Sequence, residues 1–492
     1  MTQSECGTLP DILLSRGSEM PGRTAFVADE EELTFGELAD RAVARAGSLQ
    51  ALGVKPRDRV AVIMPTGLPF VEVFWGLQLL GACPCVLNPS VAGDSLARRI
   101  ALVRPRLVIT EELAAEMRPS PPPPPAQIDP DDLAFLQLTS GTSGEPRAAM
   151  ILHRNLLSYL RTSRTNLEWL GSSDVFVCWV PPWHDLGLVR FIIGAVWLGI
   201  ECHIVPPSVR TIPLWLRTVS EVAGTYTAAP DFAIRLAARM VEPTSVTLTS
   251  LRMLKSGGEP VRWSTIAAFE QRFELPGVVL PGYGLGEATL GLCEHIPGDE
   301  VPVDEHGTVS CGPPDEAIEL RAGSALDAPE EILVRGERVF AGYLDAAEET
   351  AGTLRDGWLH TGDSGYLDAE GRLFVLGRRE GMIKRAGAVV SPRELEEPAQ
   401  QVEGVKIAAA SSVSDAGIGE LIVVAVETDL PEDRHEDIIA GVMGRVTKGA
   451  GFAPGRIVVL PRRTIPRTEN GKIRHARLRE LLEQTAPSPI AG

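Results

Sequence analysis

Several polar stretches of the chain carry residue types that handle phosphate, sugar and carboxylate groups. The first, Thr139–Arg147, follows the apolar run Leu133–Leu138 and places four hydroxyls and two glycines in six residues. Successive glycines let the backbone form a concave nest of N–H donors, which suits a polyanion such as a nucleoside triphosphate. No Gly-Lys-Ser/Thr closes the loop, so it is not a Walker A motif. A surface turn between two strands is an equal alternative for these residues alone.

Two later stretches offer contacts to a nucleoside. Tyr283 stands between glycines, and the carboxylate of Glu287 follows four residues later. An aromatic ring against bare backbone can sandwich a purine, and a carboxylate near phosphates can hold Mg2+. Asp363 is predicted to lie in a tight turn after a strand, where its carboxylate can accept hydrogen bonds from both ribose hydroxyls. An aspartate that stabilises its own turn is the more common alternative.

A glycine-hinged loop near the C-terminus, Pro466–Arg474, contains Lys472 directly after Gly471. Only six of the 47 basic residues are lysines, so a lysine in this chain is expected to be there for its own chemistry. A mobile ammonium can be delivered as a point charge to a transition state that joins a phosphate and a carboxylate. The alternative is a solvated basic tail, which suits the neighbouring arginines better than Lys472.

Composition narrows the class of protein. The 492 residues exceed what one hydrophobic core serves, and the net charge of −18 argues against nucleic acid as a general partner. We expect no signal peptide. We also expect no membrane span, because the apolar stretches Phe70–Leu80 and Leu188–Ile200 are too short to cross a bilayer. The seven cysteines are scattered, which favours reduced thiols and a cytoplasmic location over disulfides or zinc.

The hydrophobic pattern supplies the elements that must hold these residues. Alternating strands and helices in the first part of the chain predict a parallel sheet that is covered on both faces. The predicted helices are Leu9–Arg16, Thr34–Leu52, Pro69–Leu80, Asn155–Leu170, Trp215–Val222, Phe232–Met240, Trp263–Phe273 and Glu436–Lys448. The predicted strands are Arg59–Met64, Pro84–Leu87, Leu133–Leu138, Ala148–Leu152, Asp174–Val180, Leu251–Lys255 and Val278–Leu280. Short strands and turns follow from Gly307 to Gly377, and we place a domain boundary near residue 380.

Taken together, the motifs resemble the adenylate-forming superfamily of acyl-CoA synthetases, nonribosomal-peptide adenylation domains, fatty acyl-AMP ligases and luciferases. The resemblance extends from about Leu33 to Leu482 and rests on five motifs in the family's order. These are Thr139–Arg147, Pro182–Leu188, Tyr283–Thr289, Thr361–Asp363 and Pro466–Lys472. The resemblance implies an α/β fold with two α/β-layered subdomains and a small distorted β-barrel in residues 1–379. A small mobile α+β lid would form residues 380–492.

The resemblance also implies a two-step reaction. A carboxylate attacks the α-phosphate of ATP to give acyl-AMP and pyrophosphate, and a thiol then attacks the acyl-AMP. Lys472 would bridge the carboxylate and the phosphate, Glu287 would hold Mg2+, and His184 would lie at the mouth of the acyl pocket. Tyr283 would stack on adenine. The implied nucleotide-binding residues are Thr139, Ser140, Gly141, Thr142, Ser143, Gly144, Arg147, Gly258, Glu259, Tyr283, Gly284, Asp363 and Arg378; the implied pocket residues are Trp183, Asp185, Ala229 and Asp231.

Between the two steps, the resemblance implies that the lid rotates about a hinge at Glu380. The rotation would replace the lysine loop with a face that carries Lys384 and Gly387, where the missing side chain leaves room for a pantetheine arm. The chain departs from the family's pattern at Arg147, where a lysine is usual, at Ala148, where a glycine is usual, and at Gly286, where a threonine is frequent. The large domain is closest to fatty acyl-AMP ligases, whereas the hinge region is closer to CoA ligases.

Four functions therefore remain open. The leading one is an ATP-dependent acyl-CoA ligase for a hydrophobic carboxylic acid. The second uses the phosphopantetheine of an acyl carrier protein as the acceptor. The third works mainly on acyl-AMP made elsewhere, as the substitutions at Arg147 and Ala148 suggest. The fourth is a catalytically silent binder of adenylates or acyl groups, which the joint presence of Lys472, Glu287 and Asp363 disfavours.

Overall fold

The alternation of strands and helices in the first third of the chain forms a five-stranded sheet in the computed structural model, which describes residues 7–140, 146–163, 165–166, 169–385, 388–415, 419–450, 452–467 and 473–484. The α-helices, numbered in chain order, are α1 Leu9–Glu19, α2 Phe35–Ala51, α3 Leu68–Leu79, α4 Gly93–Val103, α5 Glu111–Glu116, α6 His153–Thr162, α7 Gly194–Leu198, α8 Ile212–Glu221, α9 Asp231–Met240, α10 Trp263–Phe273, α11 Ala347–Thr353, α12 Pro392–Gln400, α13 His435–Ala450 and α14 His475–Gln484.

The strands are β1 Thr24–Ala28, β2 Glu31–Thr34, β3 Arg59–Ile63, β4 Cys83–Val86, β5 Leu107–Thr110, β6 Leu133–Ser140, β7 Pro146–Leu152, β8 Val175–Cys178, β9 Glu201–Ile204, β10 Tyr226–Ala228, β11 Met253–Ser256, β12 Val279–Leu285, β13 Leu290–Glu294, β14 Glu319–Arg321, β15 Glu330–Arg335, β16 Leu354–Arg355, β17 Trp358–Leu367, β18 Leu373–Arg378, β19 Ile383–Arg385, β20 Ala388–Val390, β21 Val405–Asp415, β22 Gly419–Thr428 and β23 Arg456–Leu460.

The first sheet has the order β5-β3-β4-β6-β7. Its strands β5, β3, β4 and β6 run parallel, and β7 returns antiparallel to β6. The helix between β2 and β3 begins as the sequence predicts, because the Thr34 hydroxyl accepts a hydrogen bond from the Glu37 amide at 3.2 Å and the Glu37 carboxylate accepts one from the Thr34 amide at 2.9 Å. The covered parallel sheet that the hydrophobic pattern predicts is confirmed.

A second sheet of eight strands has the order β13-β12-β11-β10-β8-β9-β1-β2. The strands from β12 to β1 are parallel, and antiparallel strands close both edges. The ends of β10, β11 and β12 carry the segments that begin at Ala229, Gly257 and Tyr283. Since the carboxyl ends of parallel strands meet at one edge of a sheet, these segments are brought together there.

The third layer is an antiparallel sheet with the strand order β14-β15-β17-β16, and β18 also pairs with β17. It corresponds to the small distorted β-barrel that the resemblance implied, and Asp368–Gly371 forms the hairpin tip between β17 and β18. The prediction for Asp363 is wrong in one respect. Asp363 lies within β17, opposite Arg378 of β18, and not in a turn after a strand.

The residues beyond β18 form an α+β arrangement, in which the sheet β21-β22-β23 packs with α12, α13 and α14. They have hydrophobic clusters of their own, around Leu395, Val424 and Val442 on one side of the sheet and around Val423 and Leu478 on the other. The α/β fold class is confirmed, whereas the exact boundary at 379/380 stays a prediction. No helix within the described ranges combines the length and apolar character needed to cross a bilayer.

The predicted helix over Asn155–Leu170 is interrupted at Ser163. Helix α6 ends at Thr162, the backbone of Ser163 is extended, and Thr165 and Asn166 are again helical. The Ser163 and Thr165 hydroxyls donate to one carboxylate oxygen of the buried Glu294, at 3.0 and 2.6 Å. The interruption therefore accompanies the satisfaction of a buried charge.

Glu294 belongs to a cluster of charges beneath β12. Its carboxylate pairs with the Arg190 guanidinium at 3.2 Å, and Arg190 also donates to the Tyr159 hydroxyl and the Asn166 side chain. Burial raises the pKa of Glu294, but Lys255, Arg190 and the two hydroxyls outweigh burial and lower the pKa to about 2. Glu294 is therefore ionised at neutral pH.

Lys255 places this cluster directly behind the Tyr283 strand. Its ammonium donates to the backbone carbonyl of His295 at 2.7 Å, and a Cβ on Gly282 would lie 3.3 Å from the Lys255 Cε. Burial lowers the pKa of Lys255, while the negative charge of Glu294 opposes that effect. The cluster thus fixes the strand from below.

Candidate active site

The phosphate-loop segment lies between two paired antiparallel strands. Strands β6 and β7 pair so that Thr139 lies opposite Arg147 and Ser140 opposite Pro146. Gly141, Thr142, Ser143 and Gly144 lie outside the described residues, and for Ser140 the structure describes only the backbone. The Thr139 hydroxyl is buried and has no hydrogen-bond partner in the described part of the chain. A donor is therefore available at the base of the predicted loop.

Gly286 shows that this hairpin meets two other segments. A Cβ on Gly286 would lie 3.2 Å from the Thr139 Cγ2, 3.2 Å from the Gln137 Cγ and 4.0 Å from an Asp185 carboxylate oxygen. A larger residue at position 286 would displace one of these neighbours, so the departure from the family's frequent threonine accompanies close packing.

Tyr283 and Asp363 are brought together although 80 positions separate them in the sequence. The Tyr283 hydroxyl donates to the Asp363 carboxylate at 2.7 Å, and the Arg378 guanidinium approaches the other carboxylate oxygen at 3.1 Å. Burial and the charge of Asp363 raise the pKa of Tyr283, so its hydroxyl stays protonated and remains a donor. Arg378 also donates to the backbone carbonyl of Thr361 at 2.7 Å. An aromatic ring, a carboxylate and a guanidinium thus form one face of the site.

Gly284 follows Tyr283 at a close approach between strands. A Cβ at this position would lie 1.7 Å from the backbone oxygen of Leu290 on β13, a separation that no side chain can adopt. The predicted nucleotide segment therefore requires glycine here for packing alone. Its binding role stays a prediction.

Glu287 faces a second group of polar side chains. Its carboxylate accepts a hydrogen bond from the Tyr343 hydroxyl at 2.9 Å, and the Arg147 guanidinium lies 5.3 Å from the centre of the Tyr343 ring. Burial, with the charge of Glu287, raises the pKa of Tyr343. Glu287 and Tyr343 also act electrostatically on Arg378, which links this group to the nucleoside face.

The residues fit a metal ion that arrives with a nucleotide. Within the described ranges, no three His, Cys, Asp or Glu side chains are grouped to hold a metal ion. Glu287 is a single partly buried carboxylate, and Mg2+ in nucleotide sites is typically held by one or two carboxylates together with phosphates and water. Glu287 fits that arrangement and does not fit a cage built from protein ligands alone.

Sequence reasoning missed Tyr343. It lies in the connection between β15 and α11, where its backbone pairs with Ala149 of β7 and so aims its hydroxyl at Glu287. The one local signal is Gly342, which has a φ of 117° and precedes the aromatic residue, as in Gly282-Tyr283. That pattern alone is too common to identify a functional residue.

The segment with Trp183, His184 and Asp185 forms a turn that opens into a π-helix, Leu186–Ile193, which sequence reasoning also missed. The His184 amide donates to the Pro181 carbonyl at 3.1 Å, and the Asp185 carboxylate accepts from the Leu186 amide at 2.8 Å. Gln137 of β6 donates to the Trp183 carbonyl at 3.1 Å. These contacts hold the turn against the phosphate-loop hairpin, while the pocket roles of the three side chains stay predictions.

Asp231 and Glu259 both hold the start of α9. The Asp231 carboxylate is buried and accepts from the Arg262 amide at 2.9 Å and from its guanidinium at 3.3 Å. Glu259 accepts from the Phe232 amide at 2.9 Å. The amide of Ala229 donates to the backbone carbonyl of Lys255 at 3.0 Å. Each of these contacts is structural, and the binding roles implied for the three residues remain untested predictions.

The 257–259 loop adjoins the nucleoside segment. Gly258 has a φ of 77°, a left-handed conformation that favours glycine. A Cβ on the preceding Gly257 would lie 3.0 Å from the backbone oxygen of Gly282, so the loop packs directly on β12. Gly258 and Glu259 therefore lie beside the strand that carries Tyr283.

The residues that the resemblance assigns to the second domain are only partly described. Lys472 and Gly387 lie outside the described residues. The backbone of Glu380 is part of a one-turn 3-10 helix, Arg379–Gly381, and the backbone of Lys384 is part of β19, but their side chains are not described. Their roles as bridging cation, hinge and tunnel remain predictions.

Comparisons with known proteins show the family and the fold of the chain. A profile of the AMP-binding enzyme family matches residues 15–344. The chain is 31% identical to a ligase of Mycobacterium tuberculosis H37Rv, Rv1013, over 90% of this chain and 93% of the relative. It is 28% identical to a fatty-acid–CoA ligase of Mycobacterium bovis, fadD21, over 85% of this chain and 86% of the relative. A structure from a study of fatty acyl-adenylate ligases of E. coli and L. pneumophila has the same fold, with a TM-score of 0.88, 24% identity and 98% of both chains covered.

Proposed function

The chain belongs to the AMP-binding enzyme family, and on that premise we propose that it is an AMP-forming acid–thiol ligase, which joins a hydrophobic carboxylic acid to AMP and transfers the acyl group to coenzyme A. Membership confirms the superfamily resemblance carried by the five sequence motifs. The identity of the acid, the acceptor and the residue roles belong to the proposal.

One observation supports the proposal: two groups of polar side chains lie next to each other, one of a composition suited to a nucleoside and the other of a composition suited to phosphates. Tyr283 and Asp363 supply an aromatic ring and a carboxylate in the first group. Arg147, Tyr343 and Glu287 supply a cation, a hydroxyl and a carboxylate in the second. Three different sheets contribute these residues, so the packing within any single sheet does not explain why they lie together.

In the first step, we expect the nucleoside face to hold ATP through adenine stacking on Tyr283 and ribose contacts to Asp363. A carboxylate has about four lone-pair sites, so Asp363 can accept from ribose while it keeps Arg378. The acid would enter past His184 and attack the α-phosphate, and pyrophosphate would leave toward Arg147. Mg2+, held by Glu287, would neutralise phosphate charge when it is bound with ATP.

The cation that joins acid and phosphate is proposed to be Lys472. In the second step the lid would turn about Glu380, and Lys384 and Gly387 would face the site. Each step needs a water-excluded centre but different side chains, which gives a physical reason for a lid that rotates.

Carboxylate-dependent exchange of pyrophosphate into ATP tests the first step, with a panel of acids that also identifies the substrate. Lys472→Ala should abolish exchange while it spares much of the thioester formation from synthetic acyl-AMP. Lys448→Ala is the matched control, because Lys448 is an exposed lysine of α13. An equal loss of both half-reactions in Lys472→Ala would count against the two-conformation mechanism.

The same assays separate the alternatives. Transfer from acyl-AMP to a holo carrier protein but not to coenzyme A would establish the carrier-protein function. Thioester formation without any exchange would favour an enzyme that works on acyl-AMP made elsewhere, and the absence of both activities would favour a silent binder. Gly387→Leu should still form acyl-AMP and fail with the thiol, and unimpaired thioester formation would remove Gly387 from the tunnel.

A further inference from the structure

Helix α12, in the part of the chain beyond β18, presents charged side chains to the part that precedes it. The Arg393 guanidinium donates to the backbone carbonyl of Val261, which lies in the loop between β11 and α10. One turn further along α12, one carboxylate oxygen of Glu397 lies 3.0 Å from Arg393 and 3.8 Å from the Arg262 guanidinium. Two charged side chains therefore hold the helix against residues 261 and 262.

A second segment, in the connection between β13 and β14, also meets α12. The Glu394 carboxylate of the helix lies 3.6 Å from the His306 ring. The backbone of Thr308 pairs with that of Arg262, which joins the two segments into one surface. We call this surface, residues 261–262 and 306–308, the α12 seat.

The contacts of α12 with the first part of the chain are polar, and its apolar side is buried elsewhere. The Ser391 hydroxyl, at the start of the helix, donates to the Leu376 carbonyl of β18 at 2.7 Å. Leu395 and Ala399 of α12 instead belong to a hydrophobic cluster whose described members all lie beyond β18. Polar interfaces between domains can separate without exposing a hydrophobic core. The seat can therefore hold one orientation of the second domain and release it.

The seat is fixed to two segments of the candidate active site. The buried Asp231 carboxylate, at the start of α9, accepts from the Arg262 amide at 2.9 Å and from its guanidinium at 3.3 Å. A few residues before the seat, a Cβ on Gly257 would lie 3.0 Å from the backbone oxygen of Gly282, which precedes Tyr283. The position of α12 on the seat is therefore defined relative to the nucleoside segment.

The contact between Arg262 and Glu397 is sensitive to small movements of α12. The Arg262 Nε is buried and has no hydrogen-bond partner among the described residues, and the Glu397 oxygen at 3.8 Å lies beyond hydrogen-bond distance. Buried N–H groups are nearly always paired in native proteins. A movement of about 1 Å would complete this hydrogen bond. The strength of the contact therefore depends on how the second domain lies on the seat.

We infer that Arg262, Arg393 and Glu397 are positioning residues, which hold the second domain in this orientation and so set the balance between the two half-reactions. The inference rests on the proposed function, in which the second domain turns between acyl-AMP formation and thioester formation. Contacts that exist in one orientation stabilise that orientation alone. They therefore favour one half-reaction at the expense of the other.

Removing the charges of α12 in the full-length chain tests the inference. Arg393→Met/Glu397→Gln removes one charge of each sign from side chains that are 14% and 19% exposed. Arg479→Met/Glu483→Gln is the matched control, because it removes a pair with the same spacing on α14 that is 40% and 42% exposed. Pyrophosphate exchange measures the first half-reaction, and thioester formation from synthetic acyl-AMP measures the second.

The α12 variant should change the two rates in opposite directions, and their ratio by threefold or more. One hydrogen bond from a charged group is worth about tenfold, and partial exposure reduces that value. A merely structural role would lower both rates together. The control variant should leave the ratio unchanged.

A second measurement needs no activity. Limited digestion with trypsin reports access to the basic residues between β18 and α12, and cleavage there should be threefold faster or more once α12 leaves the seat. Equal changes in both half-reactions, or a ratio that changes by less than threefold, would overturn the inference and leave the proposed function standing. If the unmodified chain catalyses neither half-reaction, the proposed function fails; faster cleavage of the α12 variant would then still support the seat as the holding contact, and unchanged cleavage would refute it.

Discussion

Replacing Glu294 by glutamine is the most direct test of the charge cluster that supports the Tyr283 strand. Glutamine has nearly the same shape and can still accept from the Ser163 and Thr165 hydroxyls, but it removes the negative charge. The Arg190 guanidinium and the Lys255 ammonium would then be buried without their common counter-charge.

The expected loss of stability in Glu294→Gln follows from the burial of Glu294 and from its lowered pKa. Removing one partner of a buried ion pair destabilises a protein by about 3–5 kcal/mol. A fall in the pKa of Glu294 from 4.5 to about 2 corresponds to roughly 3 kcal/mol of preference for the ionised carboxylate, which agrees with the lower bound. With an unfolding entropy of about 2.1 cal/mol/K per residue over roughly 370 residues, a loss of 3–5 kcal/mol lowers Tm by about 4–6 °C.

The effect should depend on pH through two groups. Glu294 has a lowered pKa in the folded state, so its contribution is present above pH 4.5 and is lost as the pH falls toward 2. Lys255 also has a lowered pKa in the folded state. Between that value and 10.5 the unfolded state binds more protons, and stability rises with pH. Glu294→Gln lowers the Lys255 pKa further, so the deficit of the variant should shrink as the pH rises toward 10.5.

Thermal unfolding, followed by circular dichroism or calorimetry across this pH range, measures both effects. Glu116→Gln, at an exposed glutamate of α5, controls for a change of net charge. Lys255→Met/Glu294→Gln removes one charge of each sign and should lose less stability than the sum of the single variants. A change in Tm below 1 °C for Glu294→Gln, or a deficit that does not vary with pH, would refute the reasoning.

Three further variants address the active site. Tyr283→Phe keeps the ring and should raise the KM for ATP by about tenfold, the lower end of the value of one hydrogen bond to a charged group. Tyr283→Ala also loses stacking and should raise the KM by about 100-fold. Similar effects of both changes would argue against stacking. Tyr343→Phe removes the hydrogen bond to Glu287 and should change the Mg2+ concentration for half-maximal pyrophosphate exchange by about threefold to tenfold. An unchanged Mg2+ requirement would show that Tyr343 does not influence metal binding through Glu287. Gly284→Ala should give little folded protein, as judged by soluble yield and circular dichroism. Gly171→Ala is the control and should be tolerated, because a Cβ at that position meets nothing within 4 Å. A stable Gly284→Ala variant would contradict the close contact between β12 and β13.

Much of the site was predictable because local chemistry identifies it. Tyr283 and Glu287 lie on one short stretch, and the apolar runs before Thr139 and after Arg147 predict the two strands, β6 and β7, that flank the phosphate-loop segment. Hydrophobic periodicity also predicts the helices, including Trp263–Phe273, which agrees residue for residue. These features depend on interactions within a few positions of the chain.

The remaining features depend on distant partners. The helical stretch after His153 is interrupted at Ser163, where two hydroxyls bind Glu294, which is about 130 residues away. Tyr343 reaches Glu287 only through the pairing of its backbone with β7. The π-helix Leu186–Ile193 contains an apolar pattern that does not distinguish it from an α-helix. No local pattern contains such information.

The hydrogen bond between Tyr283 and Asp363 joins the eight-stranded sheet to the antiparallel sheet of β17. A nucleoside held by both residues would add a non-covalent crosslink between two layers that already share one hydrophobic core. Saturation with AMP at about 100 times its Kd would then add about 2.7 kcal/mol to the free energy of unfolding.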